Sequence, residues 1–485
     1  MLNEKYDKTD SLSIETYAKL LIGKTFMDVI NDADLNENLR VSITDKYGNP
    51  KHKGGLGNLL EELYFEYKAN NNQEADFKEA GVELKVSPYE KLKTGKFRAG
   101  ERLVITMIGY NEPIELDFNA SHVWNKIKAI LLIYYLRDRA FNSLLYPINY
   151  VKLFSPPKED LLIIKDDYKK IAIKIRNGLA HQLSESDTTY LGACTKGANL
   201  KKSMAPQYYN SDEAARKRAF CLKNSYMTYV LNNYIIANVD TFEPIIKDST
   251  ILEKTSFEEY IISKINSYLG KTDEELCRLF NRAYNNNKAQ WIELAYRMLG
   301  IKSKKAEEFE KANIQVKSIR IETGKKMVES MSFSPFKFKD FASEKWEDSE
   351  LFTYFEEKKF LFVVYMRSGN NYILKSCKIW NMPSYDLNKE VYQGWKNIQN
   401  KIKSGVILTK KETKSGFIIE NNLPKKSDNK IIHIRPHTKK RAYKFLSGES
   451  IGDFESHANE LPDGQWMTTQ SFWINNDYIL NQLDL

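Results

Sequence analysis

The sequence predicts a mixed α/β protein built as two related halves, each a small central sheet flanked by helices. Three observations predict it. Helical and strand-like apolar periodicities alternate along the chain, an internal repeat runs through it in constant order, and 485 residues exceed what one hydrophobic core usually organises.

The elements of the first half follow in order. SLSIETYAKLLIGKTFMDVI opens on capping Ser and Thr residues and spaces its apolar residues helically. GLGNLLEELYFEYKA continues as a second amphipathic helix. GVELKVSPY, RLVITMIGY and KAILLIYYL are rich in Val, Ile, Leu and Tyr and read as strands. DLLIIKDDYKKIAIKIRNG reads as a long helix ended by Gly178.

The repeat fixes the architecture of the rest. IGKTFMDVI, with Gly23 and Lys24, returns as LGKTDEELCRLF, with Gly270 and Lys271. EADFKEAGVELKV (74–86) returns as EEFEKANIQVKS (307–318), aligning Phe77 with Phe309, Ala80 with Ala312 and Lys85 with Lys317. KAILLIYY is answered by KFLFVVYM, TKGAN by TKKRA, and AFCLKNSYM by SFWINNDYI. The shared order makes duplication the reading. The boundary falls near 240–256, where Pro244 lies among polar residues, giving halves 1–245 and 246–485.

Composition excludes some function classes. The net charge of +9 permits polyanion binding without demanding it. No apolar stretch approaches the roughly 18 residues of a membrane helix; the longest run, AILLIYYL at 129–136, fits a buried strand. MLNEKYDKTDSLSIE is too polar for a signal peptide. The four cysteines show no metal-ligand spacing. A cytoplasmic, reduced protein without membrane segment or structural zinc is expected.

Strand alternation places Glu83 and Lys85 on one face of GVELKV, and Asp76 lies seven residues before Glu83 across a turn-like AGV. Two converging carboxylates form a hard oxygen site suited to Mg²⁺, with waters and a phosphate completing its shell. The carbonyl of Leu84 can supply another oxygen. Lys85 can orient the attacking water and stabilise developing charge, as phosphodiester hydrolysis requires. Glu61, on the preceding helix, can serve as a further ligand or water-orienting group, with Glu62 as the alternative. The competing reading is an amphipathic strand with a solvated Glu–Lys pair, contributing under ~1 kcal/mol.

In order along the chain, KGGLGNLLE (53–61), ADFKEAGVELKVSPYEKLKTG (75–95), SHVWNKIKAILLI (121–133) and YLGACTKGAN (190–199) resemble the MutH family. The longer family members are type II restriction endonucleases cutting at GATC, with a catalytic MutH-like half and a second related half. GVELK, TKGAN and the closing WMTTQSFWINNDYI look very close to those enzymes. The resemblance covers essentially the whole chain. It implies two MutH-like, restriction-endonuclease-like domains: catalytic at 1–245, and a degenerate DNA-binding effector at 246–485.

By that resemblance, Glu61, Asp76, Glu83 and Lys85 fall on the family's active-site positions. Lys126 falls on a further lysine near the scissile phosphate, and Lys53 on a basic residue opening the helix of Glu61. Lys196 and Asn199 lie in the loop that reads the base edges of GATC, where a lysine can donate to guanine O6 and N7. Lys223, in FCLKN, is assigned to DNA as well. One departure stands beside it. The tyrosine associated with sensing adenine methylation in the family's mismatch-repair nickase is replaced here by Cys221, so indifference to that methylation is expected.

In the second half Asp76 becomes Glu308, Glu83 becomes Gln315 and Glu61 aligns with Tyr296, while Lys85 survives as Lys317. A Gln and a Tyr make a poor Mg²⁺ site, so this half is expected to be catalytically silent. Arg435 and Lys439, with Trp473, are expected to be loop-borne groups for a second copy of the DNA site. His433 and His437 are expected at the surface or facing DNA, with Pro436 between them arguing against a helical metal pair. GATC is palindromic and each chain has one catalytic centre, so transient pairing of two chains on double-stranded DNA is expected.

Two other readings stay open: a MutH-like nickase summoned by a partner, and a catalytically vestigial DNA-binding protein. Erosion of the acidic set in one half alone speaks against the second. The charged runs KSKKAEEFEKA (302–312) and KKETKSG (410–416) are expected to be solvated surface.

Overall fold

A computed structural model describes residues 5–49, 54–67, 74–197, 203–237, 242–285, 287–327, 331–414, 416–483 and 485. The chain divides into two compact units, residues 1–259 with 301–314, and residues 260–300 with 315–485.

Unit 1 is built on a four-stranded sheet of order β2-β1-β4-β5, comprising β1 (Glu83–Lys91), β2 (Phe97–Ala99), β4 (Ile130–Leu136) and β5 (Ile148–Phe154). β1 and β4 run parallel, with Glu83 opposite Ile130; β2 and β5 pair antiparallel at the edges. The first five residues of β4 are all buried, because a central strand is covered on both faces. A second sheet orders β3 (Leu103–Met107), β9 (Arg218–Leu222) and β6 (Leu191–Thr195) as β3-β9-β6, and β7 (Met204–Gln207) pairs with β8 (Asn210–Arg216).

The helix Lys158–Arg176 begins with Glu159 and Asp160 and ends with Lys174 and Arg176, which complements its dipole. Ile164, Asp167, Tyr168, Ile171 and Ile175 form its buried stripe. Gly178 follows with a φ of +74°, where a Cβ would stand 3.0 Å from the carbonyl oxygen of Tyr209. Asp167 is fully buried and its carboxylate accepts the N–H groups of Thr189 (2.6 Å), Tyr190 (2.6 Å) and Leu191 (3.0 Å). That carboxylate fixes the start of β6.

Unit 2 repeats the plan. β10 (Ile314–Glu322), β11 (Lys326–Met327), β13 (Lys359–Ser368) and β14 (Asn371–Trp380) form a sheet of order β11-β10-β13-β14. β12 (Met331–Phe336), β17 (Ile432–Pro436) and β22 (Gln470–Ile474) form another, of order β12-β22-β17. Strand for strand, these match the two main sheets of unit 1, which is the architecture the repeat predicts. A hairpin of β15 (Leu408–Thr413) and β16 (Gly416–Asn421) and a small sheet of β18 (Tyr443–Lys444), β19 (Ser450–Ile451), β20 (Ala458–Glu460) and β21 (Trp466–Thr468) are added to it. Trp346, Trp380 and Trp395 anchor an aromatic-rich core.

Two expectations need correction. Within the run 302–312, Glu308 and Lys311 are buried in unit 1, where each has found backbone or charged partners. His433 is also buried, 7% exposed, with Nδ1 2.6 Å from Oδ1 of Asn475, whereas His437 is exposed. The run at 410–414 is exposed, as expected of a solvated hairpin. Among the described residues, no helix is long and apolar enough to cross a membrane.

Candidate active site

The site forms where the parallel pairing of β1 with β4 brings two separate segments together. Glu83 opens β1 and donates its N–H to the carbonyl of Ala129 (3.0 Å), just after the short helix His122–Ile127 that carries Lys126. Glu83 is only 1% exposed. Its carboxylate accepts from Lys85 Nζ at 2.6 Å and from Lys126 Nζ at 3.1 Å to each oxygen. Two ammonium groups therefore share one buried carboxylate, the charge-assisted contact that makes a buried anion tolerable.

Asp76 reaches the same point from across a tight turn. Phe77 and Val82 exchange backbone hydrogen bonds (2.9 and 3.2 Å), and Gly81 between them has a φ of +65°. The turn lays Asp76 against β1, and its Oδ2 accepts the N–H of Leu84 at 2.9 Å. Burial and the neighbouring charge of Glu83 raise the pKa of Asp76, partly opposed by Lys85.

Glu61 enters from the helix Gly55–Leu59, which widens into a π-helical turn at Leu60–Tyr64. Such turns redirect side chains and recur at functional sites. Burial, then the carboxylate of Asp76, pushes its pKa up to about 7. Glu62 is engaged elsewhere, with Lys46 at 3.2 Å and the hydroxyl of Tyr47. An aromatic cluster fixes this helix against the Asp76 turn. Tyr17 stacks on Tyr64 at 4.5 Å, and Phe65 meets Phe77 edge-on at 5.4 Å.

Both raised carboxyls favour the fold when protonated. For Glu61 that contribution is complete below its ordinary value of 4.5 and is lost as pH rises through about 7. The ionised cluster is thus under charge stress at neutral pH, which a cation would relieve. Among the described residues, no three His, Cys, Asp or Glu side chains already close on one point. Mg²⁺ does not require that: it is held by one or two carboxylates, with waters and substrate phosphate completing its shell. Asp76 and Glu83, with Glu61 near enough for their charges to raise its pKa, fit this demand.

Tyr67 was missed by sequence reasoning. Its buried hydroxyl has no hydrogen-bond partner among the described residues, and its pKa is raised by burial and then by the charges of Asp76, Glu61 and Glu83. One aromatic among 29 tyrosines carries no signal of that kind.

The residues assigned to DNA divide differently. Lys53 and Asn199 lie outside the described residues. Lys196 is half-buried just past β6, its N–H bonded to the carbonyl of Lys217 at 2.9 Å. Gly197 follows with a φ of +91°, and a Cβ there would lie 2.1 Å from Ser203 Oγ. Lys223 must be corrected: it is 2% exposed, and its ammonium donates to the Thr188 carbonyl inside the fold. Cys221 is fully buried in β9, its thiol 3.6 Å from the Gly192 carbonyl. In unit 2, Lys439 is exposed in a turn. Arg435 lies on β17 and not in a loop, with its guanidinium stacked 3.7 Å over Trp473.

A family model of the DNA mismatch repair enzyme MutH matches residues 65–167, the segment holding Asp76, Glu83, Lys85 and Lys126. The type II restriction enzyme Sau3AI of Staphylococcus aureus is 34% identical over 97% of this chain and 98% of its own length. This chain belongs to the MutH-like type II restriction endonucleases. DNA mismatch repair proteins MutH are also similar, at 28% identity for that of Shewanella woodyi and 25% for that of Vibrio vulnificus. They cover 38% and 44% of the chain, and 77% and 90% of their own lengths. The likeness to the restriction enzyme thus runs through both units of this endonuclease, and membership in the family makes the chain a site-specific nuclease acting on DNA.

Proposed function

We propose that this endonuclease hydrolyses both strands of duplex DNA at GATC with Mg²⁺, using the cluster in unit 1. The observation that carries the reading is the buried Glu83 carboxylate, held by Lys85 and Lys126, with Asp76 and Glu61 as its charged neighbours. Asp76, Glu83, the Leu84 carbonyl and Glu61 would hold the ion. When bound, Mg²⁺ supplies a Lewis acid that neutralises phosphate charge and acidifies water.

The side chains do the rest. Lys85, 22% exposed, is the ammonium that can orient water and donate to a phosphate oxygen as charge develops. Lys126, 9% exposed, pairs with the Glu83 carboxylate at 3.1 Å and would add positive charge at the scissile phosphate. Glu61, pushed up to about 7 in the metal-free site, would have to give up its proton to serve as a further ligand or to orient the attacking water. Lys196 reads guanine from the loop after β6. With Cys221 buried in place of a tyrosine, adenine methylation does not obstruct cleavage.

Unit 2 binds a second GATC duplex without cutting it, and raises the activity of unit 1. Its Gln315 accepts the Tyr354 hydroxyl at 3.0 Å where unit 1 has Glu83. Glu308, which the repeat sets against Asp76, is spent on the N–H groups of Ile245 (2.9 Å) and Ile246 (2.8 Å). Two chains pair transiently on the palindrome, so that each strand meets one catalytic unit.

Plasmid digestion tests this reading. Pure protein is incubated with plasmid of known sequence, in Mg²⁺ and separately in EDTA or Ca²⁺, beside the Asp76→Ala protein. The expected result is discrete Mg²⁺-dependent fragments ending at GATC, absent for Asp76→Ala. Single-strand nicks alone would support a MutH-like nickase, and binding without cleavage a vestigial DNA-binding protein.

A further inference from the structure

In unit 1 the hydroxyls of Tyr67, Tyr110, Tyr134 and Tyr190 are buried with no hydrogen-bond partner among the described residues. An unpaired buried hydroxyl is costly, so each calls for an explanation. Tyr134 lies wholly buried inside β4, where burial alone raises its pKa and no charged group acts on it. Its orphaned hydroxyl is a matter of the core. Tyr67 differs, because it stands beside the acids of the candidate active site.

The backbone puts it there. Tyr67 follows the π-helical turn Leu60–Tyr64, and Glu66 before it takes a φ of +54°, unusual outside glycine. That reversal lets the N–H of Tyr67 donate to the carbonyl of Glu61 at 3.0 Å. Its ring meets Phe77 edge-on, with 5.3 Å between centres. Phe77 directly follows Asp76, and it exchanges backbone hydrogen bonds with Val82, the residue before Glu83. One hydrogen bond and one ring contact thus tie Tyr67 to the segments that bear all three carboxylates. Burial, and then the charges of Asp76, Glu61 and Glu83, raise the pKa of its hydroxyl, which therefore stays neutral.

The acids nearby are already partnered in part: Glu83 by Lys85 and Lys126, and Asp76 by the N–H of Leu84. A hydroxyl also has lone pairs to offer. Water bound to a divalent cation is a strengthened donor, and the groups that receive its protons orient it. The unused oxygen of Tyr67 is such a group.

We propose that Tyr67 is a positioning residue of the hydrolytic centre, its hydroxyl oxygen accepting a hydrogen bond from a water in the shell of the divalent ion. The proposal rests on the reading that Glu61, Asp76 and Glu83 hold that ion, and it adds a group that orients the ion's water. In the metal-free chain the hydroxyl makes no bond, so deleting it removes an unsatisfied polar atom and nothing else.

The test titrates Ca²⁺ calorimetrically into the full-length chain bound to a GATC duplex, with Tyr67→Phe beside the parent and both proteins melted in EDTA. Tyr67→Phe should bind the ion about 10-fold more weakly, as loss of a group that orients the metal's shell does. Its single-turnover cleavage should need about 10-fold more Mg²⁺ to reach half the maximal rate, while it melts no lower than the parent in EDTA. Tyr134→Phe, which deletes an equally unpaired hydroxyl from β4, should change neither ion affinity nor Mg²⁺ requirement. Parental ion affinity and Mg²⁺ requirement in Tyr67→Phe would overturn the proposal and leave the three-carboxylate reading standing. A Tyr67→Phe protein that melts lower in EDTA but binds the ion normally would make the hydroxyl a structural group only, and would overturn it too. If the parent binds the ion no better than Asp76→Ala does, the reading and the proposal fall together.

Discussion

Glu83→Gln should lower single-turnover cleavage of a GATC duplex by about a thousandfold, a loss of roughly 4 kcal/mol of transition-state stabilisation. Gln keeps the shape of Glu83 and removes its charge. That charge lies between Lys85 at 2.6 Å and Lys126 at 3.1 Å, and it is the most buried acid of the cluster. Without it, the proposed ion loses a ligand, and Lys126 becomes a cation only 9% exposed with no counter-charge from Glu83. The fold should survive, because the amide oxygen still accepts from a lysine, at a cost of about 1–3 kcal/mol. Duplex binding in EDTA should be retained. The second unit carries this same exchange, Gln315, at the matching strand position. Filter binding beside single-turnover kinetics separates the outcomes: full activity in the variant would remove Glu83 from the chemistry.

The largest stability effect is expected far from the chemistry. Lys311→Met should destabilise the protein by about 3–5 kcal/mol, because it leaves a buried acid without its partner. Lys311 is 1% exposed, with Nζ 2.8 Å from Asp160 and 2.7 Å from Glu307, and it lies 4.6 Å from the ring centre of Tyr229. Burial opposes its charge, but Asp160 and Glu307 outweigh burial and hold it as the cation. Asp160, itself 1% exposed, also accepts the Tyr226 hydroxyl at 3.1 Å. This network ties the helix Glu307–Ala312 into unit 1. Removing both charges with Asp160→Leu should cost less than the sum of the single changes, since only the more exposed Glu307 then lacks its partner. Urea denaturation of the two single variants and the double measures the coupling; additive losses would contradict it.

Glu83 and Lys311 stand on opposite sides of what was legible in the sequence. The unbroken apolar run of β4, the alternation of Glu83 and Lys85, and the repeat of one sheet order were legible because each is a local pattern imposed by strand geometry. Lys311 was not legible. In KSKKAEEFEKA it looks like any solvated lysine, and only Asp160, 151 positions away in sequence, makes it a core residue. Asp167 beside Asp166, and Glu61 beside Glu62, posed the same problem: adjacent acids are alike in sequence, and tertiary partners decide which turns inward. The π-helical turn at Leu60–Tyr64 adds to it, since a helical wheel drawn at ordinary pitch misplaces everything after Leu59. Lys223 erred in the opposite direction, because a lysine heading a helix can equally donate inward to a carbonyl.

In the proposed mechanism everything turns on Glu61, Asp76 and Glu83 holding the divalent ion together. The most direct measurement is calorimetric titration of Ca²⁺, which supports binding without cleavage, into the protein–GATC duplex complex at about pH 6 and about pH 8. Glu61 titrates at about 7 in the free site, so it is largely protonated at the lower pH and must lose that proton when the ion binds. The expected result is binding that tightens toward the higher pH, releases protons at the lower one, and disappears in Asp76→Ala. Binding that ignores pH, or survives Asp76→Ala unchanged, would place the ion elsewhere and contradict the three-carboxylate site.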